Sequence, residues 1–295
     1  MNVLPLGPGF AAELRGVTLA DVAADEAIYE AVRAAFERHS VIVLRDQDVT
    51  DEAQIAFSRR FGPLEVTPAA TQGAGTNLVI LTTIGKDGTV VPADDRLALR
   101  NKANQLWHAD STFKSTPALA SVLSGRVMPA QGGETEYVST RLAWERLPPA
   151  MQKKLENLFA WHDYAHSRGK IASNIVGASE RAAMPPQCWR MVWKNPSNGR
   201  SALYIASHAY AIEGMEQSEA QKLLAELTEA ATAPALSYQH AWRRGDVVMW
   251  DNRATLHRGR PWPPHEARTM VRTTISATNA DGLQGVRPPA RQAAE

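Results

Sequence analysis

Five short runs, Ala118–Leu123, Gly133–Ser139, Ala202–Ile205, Asp246–Trp250 and Met270–Ser276, are apolar or alternate apolar with polar, and turn signals separate them. Alternation with a period of two puts one face of each run into a core and the other toward solvent or a second layer. Repeated across more than half of the chain, this limits the fold more than any other feature: it predicts short strands in an antiparallel sandwich or barrel decorated with helices. Two helical stretches interrupt the strands, Thr140–Phe159 and Ser218–Ala231. The N-terminal part has another texture. Asp25–His39 places Ile28, Val32, Ala35 and Phe36 at helical spacing behind Asp25 as N-cap. Val41–Leu44 reads as a buried strand, and Thr50–Phe61 as a capped helix that Gly62-Pro63 stops.

Between Val66 and Lys102 the chain is rich in Gly, Thr and Pro, with one strand candidate at Leu78–Thr83 and a turn at Gly85–Gly88. A segment of this length with so little pattern reads as a lid or binding loop. Thr278–Glu295 lacks an apolar face and is expected to be a mobile tail. With no linker in between, residues 1–277 are expected to form one domain that includes the lid at 66–102, followed by the tail at 278–295.

Lys and Arg number 32 against 31 Asp and Glu, a formal charge of +1. A chain that lived on phosphate contacts would carry a clear basic surplus, so no nucleic-acid partner is expected. Apolar runs such as Val41–Leu44 and Leu78–Leu81 are far too short to span a bilayer. Met1–Leu6 has neither a basic leader nor a long apolar stretch, so a cytoplasmic protein with no membrane attachment is expected. The single cysteine, Cys188, excludes an internal disulfide framework and a cysteine-rich metal site, and reads as a packed residue.

The chemistry is carried by histidines. His108 and Asp110 stand two apart in Trp107-His108-Ala109-Asp110, so in extended chain an imidazole and a carboxylate point to one side. His257, just after the strand run that ends in Trp250, supplies a third ligand. Two histidines and one carboxylate with an open face suit non-haem Fe(II); the same set can hold Zn²⁺ and activate water for hydrolysis. His39, His162, His166, His240 and His265 have no partner pattern and read as surface or packing residues.

Taken together and in order, Gln54–Leu64, Ala103–His108, Gly132–Glu136 and Met249–Arg253 running on to His257 resemble the taurine/2,4-dichlorophenoxyacetate dioxygenase family, and its aryloxyalkanoate-cleaving members more than its taurine members. The resemblance implies a double-stranded β-helix (jelly-roll) core with a helical N-terminal part and an inserted lid. It also implies an Fe(II)- and 2-oxoglutarate-dependent dioxygenase that uses dioxygen on a small anionic substrate, acting as a homo-oligomer. By that resemblance His108, Asp110 and His257 hold the iron. Arg268 grips the far carboxylate of 2-oxoglutarate, a task for a bidentate and permanently charged guanidinium, and Thr135 shares it. Arg272, four residues on, binds the acidic head of the substrate, while Asn104 and His208 line the substrate pocket. Trp107 and Trp250 are expected to support the core.

The departure from the family lies just after Gly62-Pro63-Leu64. Aryloxyalkanoate members carry lysines there and taurine members a histidine, whereas Glu65–Gln72 offers neither. An aryloxyalkanoate is the expected substrate: hydroxylation beside the ether oxygen gives a product that collapses to a phenol. An alkylsulfonate or alkyl sulfate is the rival within the family. A zinc hydrolase has no use for the Arg268 and Thr135 clamp, and a non-enzymatic cupin-like binding protein needs no arginine pair beside its metal.

Overall fold

In the computed structural model, which describes residues 1–68, 72–173 and 175–289, Val41–Leu44 is buried at every position because strands flank it on both sides. The strands are β1 (Asn2–Pro5), β2 (Ala12–Arg15), β3 (Val41–Leu44), β4 (Val79–Thr82), β5 (Ala118–Val127), β6 (Thr135–Ser139), β7 (Phe159–His162) and β8 (Gln187–Arg190), continuing as β9 (Val192–Lys194), β10 (Ser201–Leu203), β11 (Ala209–Ile212), β12 (Ser237–His240), β13 (Val247–Asp251), β14 (Thr255–Gly259) and β15 (Thr269–Ser276). The helices are α1 (Leu19–Ala24), α2 (Glu26–His39), α3 (Asp51–Arg59), α4 (Arg96–Lys102), α5 (Thr140–Arg146), α6 (Pro149–Leu155), α7 (Tyr164–Gly169), α8 (Ala178–Ala183), α9 (Gln217–Ala231) and α10 (Leu283–Val286).

A seven-stranded sheet in the order β1-β2-β3-β13-β5-β15-β4 faces a smaller one, β12-β6-β14. The alternation in β13 shows how the layers meet. Val247 and Met249 join Val32, Phe36 and Phe57 from the N-terminal helices and Phe61 from the turn after α3. Val248 and Trp250 point the other way, to Tyr137 and Tyr238 of the smaller sheet. Each such side chain, fully buried, contributes roughly 1.5–3 kcal/mol. Helix α3 is also pinned by polar contacts: Gln54 Nε2 donates to the carbonyls of Val122 and Val271, and Ser58 lies 2.6 Å from the Thr273 hydroxyl. The run at Ala202–Ile205 lies outside both sheets, its β10 pairing only with β9.

Two expectations are corrected. The helix expected over Thr140–Phe159 is two helices, because Pro148 lacks an amide hydrogen and forces Leu147 into extended geometry (ψ 141°); Phe159 opens β7. Nor is residue 278 onward a mobile tail as far as residue 289. Thr278 and Asp281 form a reciprocal capping box, and Leu283 and Val286 are buried in the main core. Gly282 makes the turn at φ +93°, where a Cβ would meet the Trp193 indole nitrogen at 2.9 Å, so only glycine fits. Residues 290–295 lie outside the described residues.

The segment 66–102 carries two regular elements. β4 extends the main sheet by pairing with β15. α4 is capped by Asp95 and meets the 164–180 region, where both carboxylate oxygens of Glu180 accept from Arg100 at 2.8 Å and Leu99 joins Tyr164, Ala165, Ile175 and Val176. Residues 69–71 of this segment lie outside the described residues. Among the described residues no helix is long and apolar enough to cross a membrane.

Candidate metal centre

His108 is not part of a long strand. A single antiparallel bridge ties it to β14: its N–H donates to the His257 carbonyl at 3.0 Å, and the His257 N–H donates back at 2.9 Å. The bridge sets the two imidazoles 4.1 Å apart, centre to centre. Two residues later the chain turns, with Ser111 in the left-handed region, and the Asn252 side-chain oxygen accepts the Asp110 N–H at 2.9 Å. His108, Asp110 and His257 thereby place one ligand atom each within 4.8 Å of one another. His108 and His257 present Nε2 at 4.0 and 3.7 Å from the Asp110 oxygens.

The protonation states suit a divalent cation. Nδ1 of His108 lies 2.7 Å from the Leu106 carbonyl, which fixes the proton there and leaves the Nε2 lone pair outward. Burial holds both His108 and His257 below the ordinary histidine range, so both are neutral ligands at pH 7. Burial alone would raise the Asp110 carboxyl, but the Arg272 guanidinium and the Ser121 hydroxyl hold it below the usual carboxylate range. Three buried donors of this kind, two neutral nitrogens and one anionic oxygen, fit Fe(II).

Asp110 is held from two sides. Arg272 Nη1 donates to Oδ1 at 2.5 Å. Ser121 on β5 donates to Oδ2 at 2.7 Å and accepts in turn from Asn252 Nδ2 at 3.0 Å. The same Asn252 oxygen that takes the Asp110 N–H also accepts from the Trp250 indole at 3.1 Å. Trp250 is buried with its rings 4.5 Å from His257, and Trp107 carries the Arg258 guanidinium over its ring at 4.5 Å.

Arg268 lies just ahead of β15 and is 8% exposed. Nη2 donates to the Gly133 carbonyl at 3.0 Å, the guanidinium covers the Trp262 ring, and Nε has no partner among the described residues. Burial pushes its pKa down to about 10, so it remains a cation, and it makes no ion pair with any carboxylate among the described residues. Gly133, at φ +72°, must be glycine: a Cβ would lie 3.1 Å from Arg268 Nε. Arg268 and Asn104 line one hollow of about 30 Å³ with Leu81 and Trp262. Thr135 follows Gly133 by two residues, and its hydroxyl oxygen accepts from the Trp242 indole at 2.9 Å. Tyr137 stacks on His257 at 6.1 Å with its hydroxyl buried.

Of the other residues expected in the site, His208 is brought to it: buried, 6.3 Å from His108 ring to ring, with Nδ1 3.2 Å from the Thr112 hydroxyl and Nε2 unpartnered. Asn104 lies on the Arg268 side. Arg272 turns to Asp110, with its Nε buried and unpartnered. Ser121, Tyr137 and Phe113 reach the site with no signal in the sequence; Asn252 was marked only by its place in the Trp250–Arg253 motif. His162 and His240, read as packing residues, are fully buried.

Such a centre, two histidines and a carboxylate beside a buried arginine with no ion pair among the described residues, belongs to a non-haem metal oxygenase that takes an acidic cosubstrate. Comparison agrees. Residues 2–274 match the family described as taurine catabolism dioxygenase TauD, TfdA family. The chain is 39% identical over 275 residues to the alpha-ketoglutarate-dependent 2,4-dichlorophenoxyacetate dioxygenase of Cupriavidus pinatubonensis, covering 92% of this chain and 96% of that one. It is 34% identical over 287 residues to the (S)-phenoxypropionate/alpha-ketoglutarate-dioxygenase of Sphingobium herbicidovorans, covering 95% and 96%. The structure of AAD-2 in complex with Mn(II) and N-oxalylglycine superposes with a TM-score of 0.86 at 35% identity, over 94% of this chain and 98% of that one. The chain belongs to the TauD/TfdA family and is a dioxygenase.

Proposed function

We propose that this protein is an Fe(II)- and 2-oxoglutarate-dependent dioxygenase that hydroxylates a small aryloxyalkanoate beside its ether oxygen, releasing a phenol. The observation that carries this reading is the pairing of a buried His108–Asp110–His257 centre with Arg268, a buried cation that makes no ion pair among the described residues. Fe(II), when bound, would activate dioxygen, and 2-oxoglutarate would supply two of the electrons that reduce it. The chain's own residues bind, orient and exclude water. His108, Asp110 and His257 hold the metal. Arg268 takes the far carboxylate of 2-oxoglutarate and Thr135 shares it. Arg272, through its unpartnered Nε, and His208 and Asn104 serve the substrate. The two facing sheets constitute a double-stranded β-helix, with 66–102 as its lid. We read the working form as a cytoplasmic homo-oligomer, a state that light scattering reports directly.

Sequence similarity to aryloxyalkanoate dioxygenases supports the substrate class, and the apolar wall of Phe113 and Tyr164 beside His208 suits an aromatic body. The test is direct. Protein loaded with Fe(II) and 2-oxoglutarate is given 2,4-dichlorophenoxyacetate, and phenol and succinate are counted. Equal amounts of the two are expected. Sulfite from taurine, or sulfate from an alkyl sulfate, with no phenol from any aryloxy acid, would move the protein to the sulfonate and sulfate branch. Hydrolysis without succinate, sustained by Zn²⁺, would remove it from oxygenase chemistry altogether.

A further inference from the structure

Arg168 and Tyr164 stand four apart on α7 and so share a face of that helix. The Arg168 guanidinium lies over the Tyr164 ring at 4.8 Å. From there a wall of rings leads to the metal: Tyr164 to Phe113 at 4.8 Å, Phe113 to His208 at 4.8 Å, and His208 to His108 at 6.3 Å. His166 and Lys170, at other positions around the helix, instead line an open outer cleft with Tyr210. Arg168 is therefore turned inward, along the wall that ends on a metal ligand. Its charge is felt there. After burial, it is Arg168 that does most to hold His208 neutral, and it acts on His108 in the same sense.

Yet Nε and Nη1 of Arg168 are buried and have no hydrogen-bond partner among the described residues, and the side chain makes no ion pair with any of them. A guanidinium whose N–H groups have lost water and gained no acceptor is costly. Other buried or half-buried arginines of the chain have met that cost within the fold: Arg253 with Asp251 and Glu37, Arg45 with Asp246, and Arg272 with Asp110. None of the described residues does so for Arg168.

We propose that Arg168 is a second substrate cation, receiving the anionic head of the primary acid through Nε and Nη1 on the His208 side of the metal, with the unpartnered Nε of Arg272 as the other donor. Two cations, one of them already tied to Asp110, then hold one carboxylate, and the aromatic body lies along Phe113 and Tyr164. The identity of the acid rests on the aryloxyalkanoate reading above; the cation itself requires only an anionic head. A substrate of this site is thus selected first by its charge, and an ester or amide of the same acid is a poor ligand.

The experiment measures binding without turnover. Protein loaded with Mn(II) and N-oxalylglycine is titrated with 2,4-dichlorophenoxyacetate and with its methyl ester, and tryptophan fluorescence is followed, for the parent, Arg168→Gln and Arg168→Lys; melting temperatures establish that each variant is folded. Losing a hydrogen bond to a charged group weakens binding about ten-fold or more. Arg168→Gln should therefore raise the Kd of the acid by about ten-fold or more, leave that of the ester and of N-oxalylglycine within about two-fold, and be partly rescued by Arg168→Lys. An unchanged Kd for the acid overturns the proposal. So does an equal loss for acid, ester and N-oxalylglycine, since Arg168 would then act on the metal centre as a whole. If the parent binds an alkyl sulfate and no aryloxy acid, the aryloxyalkanoate reading fails, and the same variants titrated with the alkyl sulfate decide the role of Arg168 separately.

Discussion

Arg272 donates to the Asp110 Oδ1 oxygen at 2.5 Å, so the cation expected to meet the substrate is already tied to a metal ligand. On the function proposed above, substrate recognition and metal geometry are coupled through that one carboxylate. Removing Arg272 frees Oδ1 and also removes a donor from the pocket. Arg272→Ala should accordingly raise KM for the primary acid by about ten-fold or more, with a smaller rise in KM for 2-oxoglutarate. Esterifying the acid should reproduce the substrate effect in the parent enzyme. A variant in which only 2-oxoglutarate binding suffers would show that Arg268 and Arg272 had been assigned the wrong way round.

The ligands themselves are tested by removal. His108→Ala, Asp110→Ala and His257→Ala should each abolish turnover and Mn(II) binding by calorimetry. Circular dichroism should stay that of the parent, because the packing around Tyr137, Tyr238 and Trp250 does not depend on a bound metal. Normal metal affinity in any one of the three would remove that residue from the triad.

Ser121 reaches the metal only through Asp110, which makes it a positioning residue. Groups that orient a metal ligand are typically worth 10–100-fold in affinity. Ser121→Ala should weaken Mn(II) binding by about ten-fold, and Ser121→Thr, which keeps the hydroxyl, should restore most of it. Unaltered affinity in Ser121→Ala would reduce the contact to packing.

Arg268 separates charge from geometry. Arg268→Lys keeps the charge but loses the planar fork and the donor to Gly133. Losing one hydrogen bond to a charged group costs about 1.5–3 kcal/mol, so the Kd of 2-oxoglutarate should rise about ten-fold or more, with Mn(II) affinity unchanged. Calorimetric titration with N-oxalylglycine gives the number without catalysis.

His162 supplies a pH signature of stability that does not involve the metal. It is fully buried with both ring nitrogens unpartnered, and burial lowers its pKa from 6.5 to about 3. Below pH 6.5 the unfolded chain takes up a proton that the folded one refuses, so this stability is present in full above 6.5 and is lost as the pH falls toward 3. The loss is about 2 kcal/mol at pH 5. His162→Phe should flatten the fall of urea-unfolding free energy between pH 7 and 5 by that amount; parallel curves would show that His162 does not titrate as its burial requires.

Much of this was written in local chemistry. Asp25 and Thr50 cap α2 and α3, as side-chain oxygens ahead of an apolar periodicity should. The alternation of Val247, Val248, Met249 and Trp250 specified two faces before either had a partner. His108 and Asp110 were legible as a His-x-Asp pair, and the order of motifs joined His257, Arg268 and Arg272 to them, but the bridge to His257 and the Asn252 side chain are what hold the pair in place. Even the fold of residues 278–289 had its local signals, the Thr278–Asp281 box and Gly282, but Leu283 and Val286 acquire meaning only against a core built from distant strands. Tertiary structure alone decided the rest. Ser121 meets Asp110 because β13 aligns it opposite Trp250, Tyr137 stacks on His257 because β6 pairs with β14, and Arg168 comes near the Phe113 wall because α7 sets Tyr164 against Phe113. None of these is a property of neighbouring residues; each depends on strand register and helix placement, which non-local packing of the whole chain sets.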